Sequence, residues 1–259
     1  MKFALVNEQR QEAQPNLSGR CPACGSLMIA KCGEARIRIW HWAHKAGRHC
    51  DPWWEETEWH RAWKELFPLD WQEIVQYAEN GEKHIADVKT DHGWVIEFQH
   101  SPIKSDERRS RNAFYKKLVW VVDGTRRKTD SAQLARAWGD GVSIGRRDSP
   151  IRGVFPAECR LVREWRESDA PIFFDFGGPE LWWLLARSPG GMWAYVARFS
   201  RNTFVQIHRG EAPQEARNFD EFVKDVSKLV SDYESHLRAQ ALQPVQGFQR
   251  YLPRRRRRF

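Results

Sequence analysis

The sequence predicts a mixed α/β (α+β) fold, and three observations carry that prediction. Two strand-like runs, 84–90 and 94–99, flank Asp91-His92-Gly93, a three-residue hairpin loop with Gly93 where a positive φ is needed. Helical runs at 55–67 and 105–117 bracket this hairpin, and an apolar strand from Leu118 to Val122 follows, closed by Asp123-Gly124. The composition is globular: 259 residues, 41% of them hydrophobic, supply core for one large domain or two ordinary ones.

The other elements read in chain order as follows. Phe3 to Val6 is a short strand, with a polar loop running on to Gly19. Arg36 to Trp42 alternates in strand fashion. The helix at 55–67 opens with Glu55, Glu56 and Glu58, which complement its dipole, and Pro68 ends it. Residues 71–77 read as a strand. Residues 125–150 are polar and Arg-rich, with a short helix near 131–138, and mark a boundary. Residues 151–215 read as several strands or strands plus helix, and 219–239 as an amphipathic helix. The expected organisation is an N-terminal module (1–52), a core (53–128), a separate C-terminal α+β region (129–245) and a basic tail (246–259).

The net charge is +8, but Arg254 to Arg258 contribute five of those charges, so the body carries only +3. Such a tail suits nucleic acid, an acidic partner or an anionic surface, or is simply solvated. No stretch has the length of a membrane span or a signal h-region. Four of the five cysteines lie within 21–50, which suits a metal site in a reducing compartment better than a disulfide framework. A cytoplasmic location is therefore expected. There are 14 tryptophans. Trp182, Trp183 and Trp193 read as core, with stacking on single-stranded bases as the alternative.

Two constellations carry chemistry. Cys21-Pro-Ala-Cys24-Gly25 is a knuckle that aims two sulfurs at one point, and Zn²⁺ takes four such ligands in a tetrahedron. The second pair comes from His41, His44 and Cys50. An extended 40–44 points His41 and His44 to opposite faces, so Cys21, Cys24, His44 and Cys50 are favoured, with His41 the rival and Cys32 a competitor. A closed set makes the zinc structural. The second constellation is the hairpin. A loop at 91–93 pairs Thr90 with Trp94, and counting back sets Asp87 opposite Glu97, with Gln99 on the same face and Ala86, Val88, Ile96 and Phe98 on the other. Opposed carboxylates destabilise a sheet, and a divalent cation such as Mg²⁺ relieves that. A one-residue slip would separate them.

Six stretches in order resemble the competence protein CoiA-like nucleases of the PD-(D/E)xK superfamily. They are Cys-Pro-Ala-Cys-Gly (21–25), His-Trp-Ala-His (41–44), Glu-Thr-Glu-Trp-His-x3-Lys (56–64), Ala-Asp-Val (86–88), Ile-Glu-Phe-Gln-His-Ser (96–101) and Trp-Val-Val-Asp-Gly (120–124). They span about residues 20–125, half of the chain. The resemblance implies a restriction-endonuclease-like mixed sheet flanked by helices, an N-terminal zinc module, and DNA, single- or double-stranded, as substrate of a Mg²⁺- or Mn²⁺-dependent deoxyribonuclease. It makes Asp87 and Glu97 the catalytic metal ligands. Gln99 stands at the lysine position of the superfamily motif and can orient water or phosphate but carries no charge. Lys64, with Lys104 as alternative, is the candidate cation. Glu56, His60 and Lys64 form one stripe along their helix, which ordinary ion pairing also explains. Arg108, Arg109, Arg111 and Lys104 are candidate contacts to the nucleic-acid backbone, or a solvated face. The rival reading is a zinc-containing nucleic-acid-binding protein with an inactive core. The C-terminal region is a candidate surface for a protein partner.

Overall fold

A computed structural model describes residues 1–33, 39–47, 56–145, 149–185, 193–212 and 218–241. The first sheet is built from local hairpins. Strands β1 (Phe3–Val6) and β2 (Gln9–Glu12) pair across Asn7 and Glu8, whose φ angles of 48° and 65° supply the twist of a two-residue turn. Strands β3 (Ser18–Arg20), β4 (Leu27–Lys31) and β5 (His41–His44) complete an antiparallel sheet in the order β2-β1-β3-β4-β5. Its small core of Ala4, Met28 and Trp42 is closed by Ile85 of the next sheet. β2 and β3 fall where the sequence reads as a polar loop. Part of the alternating run 36–42 lies outside the described residues.

Among the described residues, the second sheet has nine strands. Helix α1 (Glu58–Lys64) leads through a 3₁₀ turn at Leu69–Trp71 into the meander β6 (Gln72–Tyr77), β7 (Lys83–Lys89) and β8 (Val95–Gln99). Helix α2 (Ser105–Phe114) crosses to β9 (Leu118–Asp123), which lies parallel to β8. Then come α3 (Asp130–Asp140), β10 (Val142–Ser143), β11 (Ile151–Val154), α4 (Arg160–Trp165), β12 (Ile172–Asp175), β13 (Glu180–Leu184), β14 (Ala194–Ser200), α5 (Arg201–Arg209) and α6 (Phe219–Ala241). The strand order is β10-β11-β14-β13-β12-β9-β8-β7-β6.

β12 pairs with β9 in parallel, Phe173 against Val121. The C-terminal region expected to be separate from residue 129 onward therefore continues the sheet of the preceding core. The reason is visible in β9, where all six residues from Leu118 to Asp123 are buried and both edges need a partner. One face of the sheet packs Trp63, Phe98, Val121, Phe173, Trp183 and Phe204. The other packs Trp120, Leu134, Val162, Trp165 and Phe174. Trp183 is core, stacked on Phe173 at 5.3 Å, whereas Trp182 is half-buried beneath the Arg198 guanidinium.

Helix boundaries differ from expectation in instructive ways. α1 begins after Thr57, whose hydroxyl accepts the His60 N–H while the His60 ring accepts the Thr57 N–H. α2 stops at Phe114 rather than 117, because Tyr115 turns extended and buries itself beside Leu118 and Trp120. Phe204 to His208 is helical: Ser200 caps α5 and Gly210 ends it. Among the described residues, no helix is long and apolar enough to cross a membrane.

Candidate functional site

Cys21, Cys24 and His44 form a group that could bind a metal such as zinc, their ligand atoms all within 4.8 Å of one another. The knuckle after β3 presents the two thiols, with Gly25 at φ +70° allowing the turn, and β5 brings in His44 opposite Met28. Cys24 Sγ lies 3.3 Å from His44 Nε2. Burial works against the Cys24 thiolate, yet hydrogen bonds from Ser26, His44 and Cys21 outweigh it and bring the pKa down to about 6. A thiolate is the form that ligates metal. His41 is on the same strand but outside the group, its Nδ1–H donating to the Ile39 carbonyl at 2.8 Å. Period-two alternation explains the choice of His44. Cys32 is also outside the group and packs against the N-terminal core. Cys50 lies outside the described residues.

In the second constellation, β7 and β8 pair Lys89 with Val95 and Val88 with Ile96. This is the register counted from the loop, with Gly93 at φ +80°. Carried one pair further, it sets Asp87 against Glu97. The paired ladder stops just before them. The Phe98 N–H, which an unbroken ladder would give to a carbonyl of β7, donates instead to Asp87 Oδ2 at 3.0 Å. Ala86 leaves the expected face as well: it packs with Val95 and Trp120, while Val88, Ile96 and Phe98 pack with Trp63. The strand thus twists at Asp87. Burial raises the Asp87 pKa to about 6, opposed by Lys64, the Phe98 N–H and Arg111. Glu97 is buried too, and its Oε2 accepts from Arg111 at 3.1 Å. A guanidinium therefore already offsets part of the like-charge cost at Glu97.

A third acid joins this row. The pairs Gln72–Val88 and Ile74–Ala86 bracket Glu73 and Asp87, and Glu97 follows the Val88–Ile96 pair, so the three acids fall on neighbouring strands where the ladders lapse. Glu73 has φ +49°, an uncommon backbone for a non-glycine residue, and its carboxylate turns toward the N-terminal sheet. There it accepts the Lys2 and Phe3 N–H groups at 2.8–3.2 Å and Lys64 Nζ at 2.8 Å. Glu56 Oε1 receives the same ammonium at 2.9 Å, while its Oε2 is buried without a hydrogen-bond partner among the described residues. Burial alone would lower the Lys64 pKa, but Glu73 and Glu56 raise it instead. Glu73 is pulled below the usual carboxylate range by Lys64 against its own burial, whereas burial holds Glu56 above it.

Several expected roles change as a result. Lys64 is fully buried between two carboxylates, so its charge holds acids together and cannot meet a phosphate. His60 is buried and serves as half of the helix cap. Gln99 sits at the end of β8, its side-chain amide donating to the Ser101 carbonyl at 2.8 Å. Of the basic residues of α2, Arg108 and Arg111 are buried, the latter paired with Glu97 and Glu107. Only Lys104 and Arg109 are exposed, and Arg109 pairs with Asp106. A continuous backbone-binding face on α2 is thus not formed. Glu73 went unnoticed in the sequence because its partners Lys2 and Phe3 are some seventy residues away.

Two further acids fix the surroundings. Asp175, at the end of β12, accepts the indole N–H of Trp59 at 3.0 Å and of Trp63 at 2.8 Å, anchoring α1. Asp123 holds His100 Nδ1 at 2.7 Å beside the ring of Trp59. No protein-family model, curated protein sequence or solved structure matches this chain.

Proposed function

We propose that the chain is a CoiA-like, metal-dependent nuclease that hydrolyses DNA phosphodiester bonds in DNA processing, recombination or defence. The observation that carries this reading is that Asp87 and Glu97 are both buried, each one residue beyond the last β7–β8 pair, Val88 with Ile96. Asp87 takes the Phe98 N–H and Glu97 the Arg111 guanidinium, yet two buried acids so close in the fold still call for more positive charge, which a divalent cation supplies. The helix, three-stranded meander, helix and parallel strand around them agree with the mixed sheet that the resemblance implies. The donor set is oxygen only, which fits Mg²⁺ or Mn²⁺. Asp87 and Glu97 would hold the ion, with Glu56 behind them through Lys64. When bound, it would supply a water of lowered pKa and stabilise charge on the scissile phosphate. Gln99 orients water or phosphate, and Lys64 positions Glu56 and Glu73.

The test uses purified protein with single- and double-stranded DNA, in Mg²⁺, Mn²⁺ or EDTA. Cleavage in metal, absent in EDTA and lowered at least about a hundredfold by Asp87→Asn and by Glu97→Gln with the circular dichroism unchanged, is expected. Variants that cut as well as the parent would sink the site. The second reading, a zinc-containing nucleic-acid-binding protein with an inactive core, is favoured by the Arg111–Glu97 ion pair, which already balances one acid. Salt-dependent binding of DNA without cleavage in either metal would establish it.

For the N-terminal group the reading is a structural zinc, with Cys50 as the fourth ligand. Close to one zinc per chain by elemental analysis is expected, falling toward zero in Cys24→Ser with a lower Tm. Parent protein without zinc and of unchanged Tm would refute this.

A further inference from the structure

A cleft lies at the carboxyl ends of the parallel strands. β8 and β9 run the same way, and ligands of open α/β sheets bind outside such ends. Ser101, Asp123 and Arg126 follow or close these strands and line this cleft of about 450 Å³, roofed by α2, α3 and α4. That volume falls within the range of small-molecule sites, roughly 300–1,000 Å³.

The charges in the cleft are unevenly matched. Glu164 is held by Arg127 at 3.0 Å and by Arg160 at 2.7 Å. Three other guanidiniums line the cleft without a carboxylate at salt-bridge distance among the described residues. Arg108 is buried, lies over Trp165, and donates to the Glu164 carbonyl. Arg126 donates to the His100 carbonyl at 2.9 Å. Arg163 is exposed at the rim. Glu167 and Glu164 act on Arg108 electrostatically, but its hydrogen bond goes to a carbonyl, which leaves guanidinium donors for an anion, and the fork geometry matches phosphate. A separate observation concerns Asp130, which is 2% exposed and lines the same cleft. Its Oδ2 lies 3.7 Å from Arg127 Nη1, whereas its Oδ1 is buried with no hydrogen-bond partner among the described residues. A buried acceptor of that kind calls for a donor from the ligand.

We infer that this cleft binds a nucleoside phosphate, its phosphate held by Arg108, Arg126 and Arg163 and a hydroxyl or amino group donating to Asp130. The inference stands apart from the nuclease reading, since none of these residues belongs to the Asp87–Glu97 row. The ligand is a free nucleotide or the phosphorylated end of a strand, which share this chemistry.

The test is calorimetry in EDTA, so that metal-dependent cleavage is silent. The probes are inorganic phosphate, adenosine monophosphate, and one oligonucleotide bearing either a 5′-phosphate or a 5′-hydroxyl. Adenosine monophosphate binding more tightly than inorganic phosphate marks a free nucleotide as sufficient. Preference for the phosphorylated over the hydroxyl end marks the strand end as a source. Arg126→Gln/Arg163→Gln, both outside the core, is expected to weaken binding at least about tenfold at unchanged Tm. Asp130→Asn is expected to narrow the preference for nucleotide over inorganic phosphate. The inference is overturned if no phosphate probe binds, or if binding is indifferent to the double variant.

Discussion

Replacing Lys64 with Met is expected to cost about 3–5 kcal/mol of stability, the usual result of removing one partner from a buried charge cluster. The Lys64 ammonium is fully buried and bridges Glu56 and Glu73 at 2.9 and 2.8 Å. Without it, Glu73 would keep the Lys2 and Phe3 N–H groups and the attraction of the N-terminal ammonium, and Glu56 would lose its nearest cation. Because Glu73 also ties the N-terminal sheet to β6, the damage should spread to the contact between the two sheets. Adding Glu73→Gln to the Lys64 variant removes the stranded charge and should recover part of the loss. Urea denaturation of the parent, the single and the double variant reads both effects. A loss below about 1 kcal/mol in the single variant would mean that these charges are screened as surface pairs are.

The second large effect is acid lability from His208. Its ring is buried among Phe204, Phe219 and Trp94; Nδ1–H donates to the Phe204 carbonyl at 2.8 Å, while Nε2 is buried without a partner among the described residues. Burial lowers its pKa from 6.5 to about 4, with the Phe204 carbonyl raising it and His92 lowering it. The folded state therefore resists a proton that the unfolded chain accepts. Stability from this group is complete above pH 6.5 and is lost as the pH falls toward 4. The loss comes to about 3 kcal/mol at 1.36 kcal/mol per pKa unit. His208→Phe should flatten that part of the stability curve relative to the parent. Equal acid slopes in the two proteins would show that the ring is solvated.

The parts of the molecule legible in its sequence were those set by local chemistry. The hairpin register followed from a loop whose glycine has one conformational task, and the Cys21–Cys24 knuckle from a spacing that only a turn satisfies. His44 was separable from His41 because a strand alternates its faces. Long-range choices were not legible. Nothing near Glu73 announces that residues 2 and 3 will supply its donors, and nothing in α2 reveals that Arg111 will turn inward to Glu97 while Arg109 stays outside. The role expected of Lys64 failed for the same reason. Helix periodicity gives its angular position, but its depth depends on β6 and the N-terminal sheet closing over it. The break over residues 125–150 was read from composition, which reports solvent exposure and says nothing about which strands meet beyond it.

The parallel pairing of β9 with β12 has a practical consequence. In a fragment ending at residue 128, β9 would be the rim of a four-stranded sheet, a wholly buried row of Leu118 to Asp123 left with unpaired amides and carbonyls. Such a rim is a template for association with other chains. The same cut would remove Asp175 and leave the indoles of α1 without their acceptor. The stretch carrying the Asp87–Glu97 pair is thus not a transplantable cassette, and residues 151–200 are the selvedge that keeps its fabric from fraying.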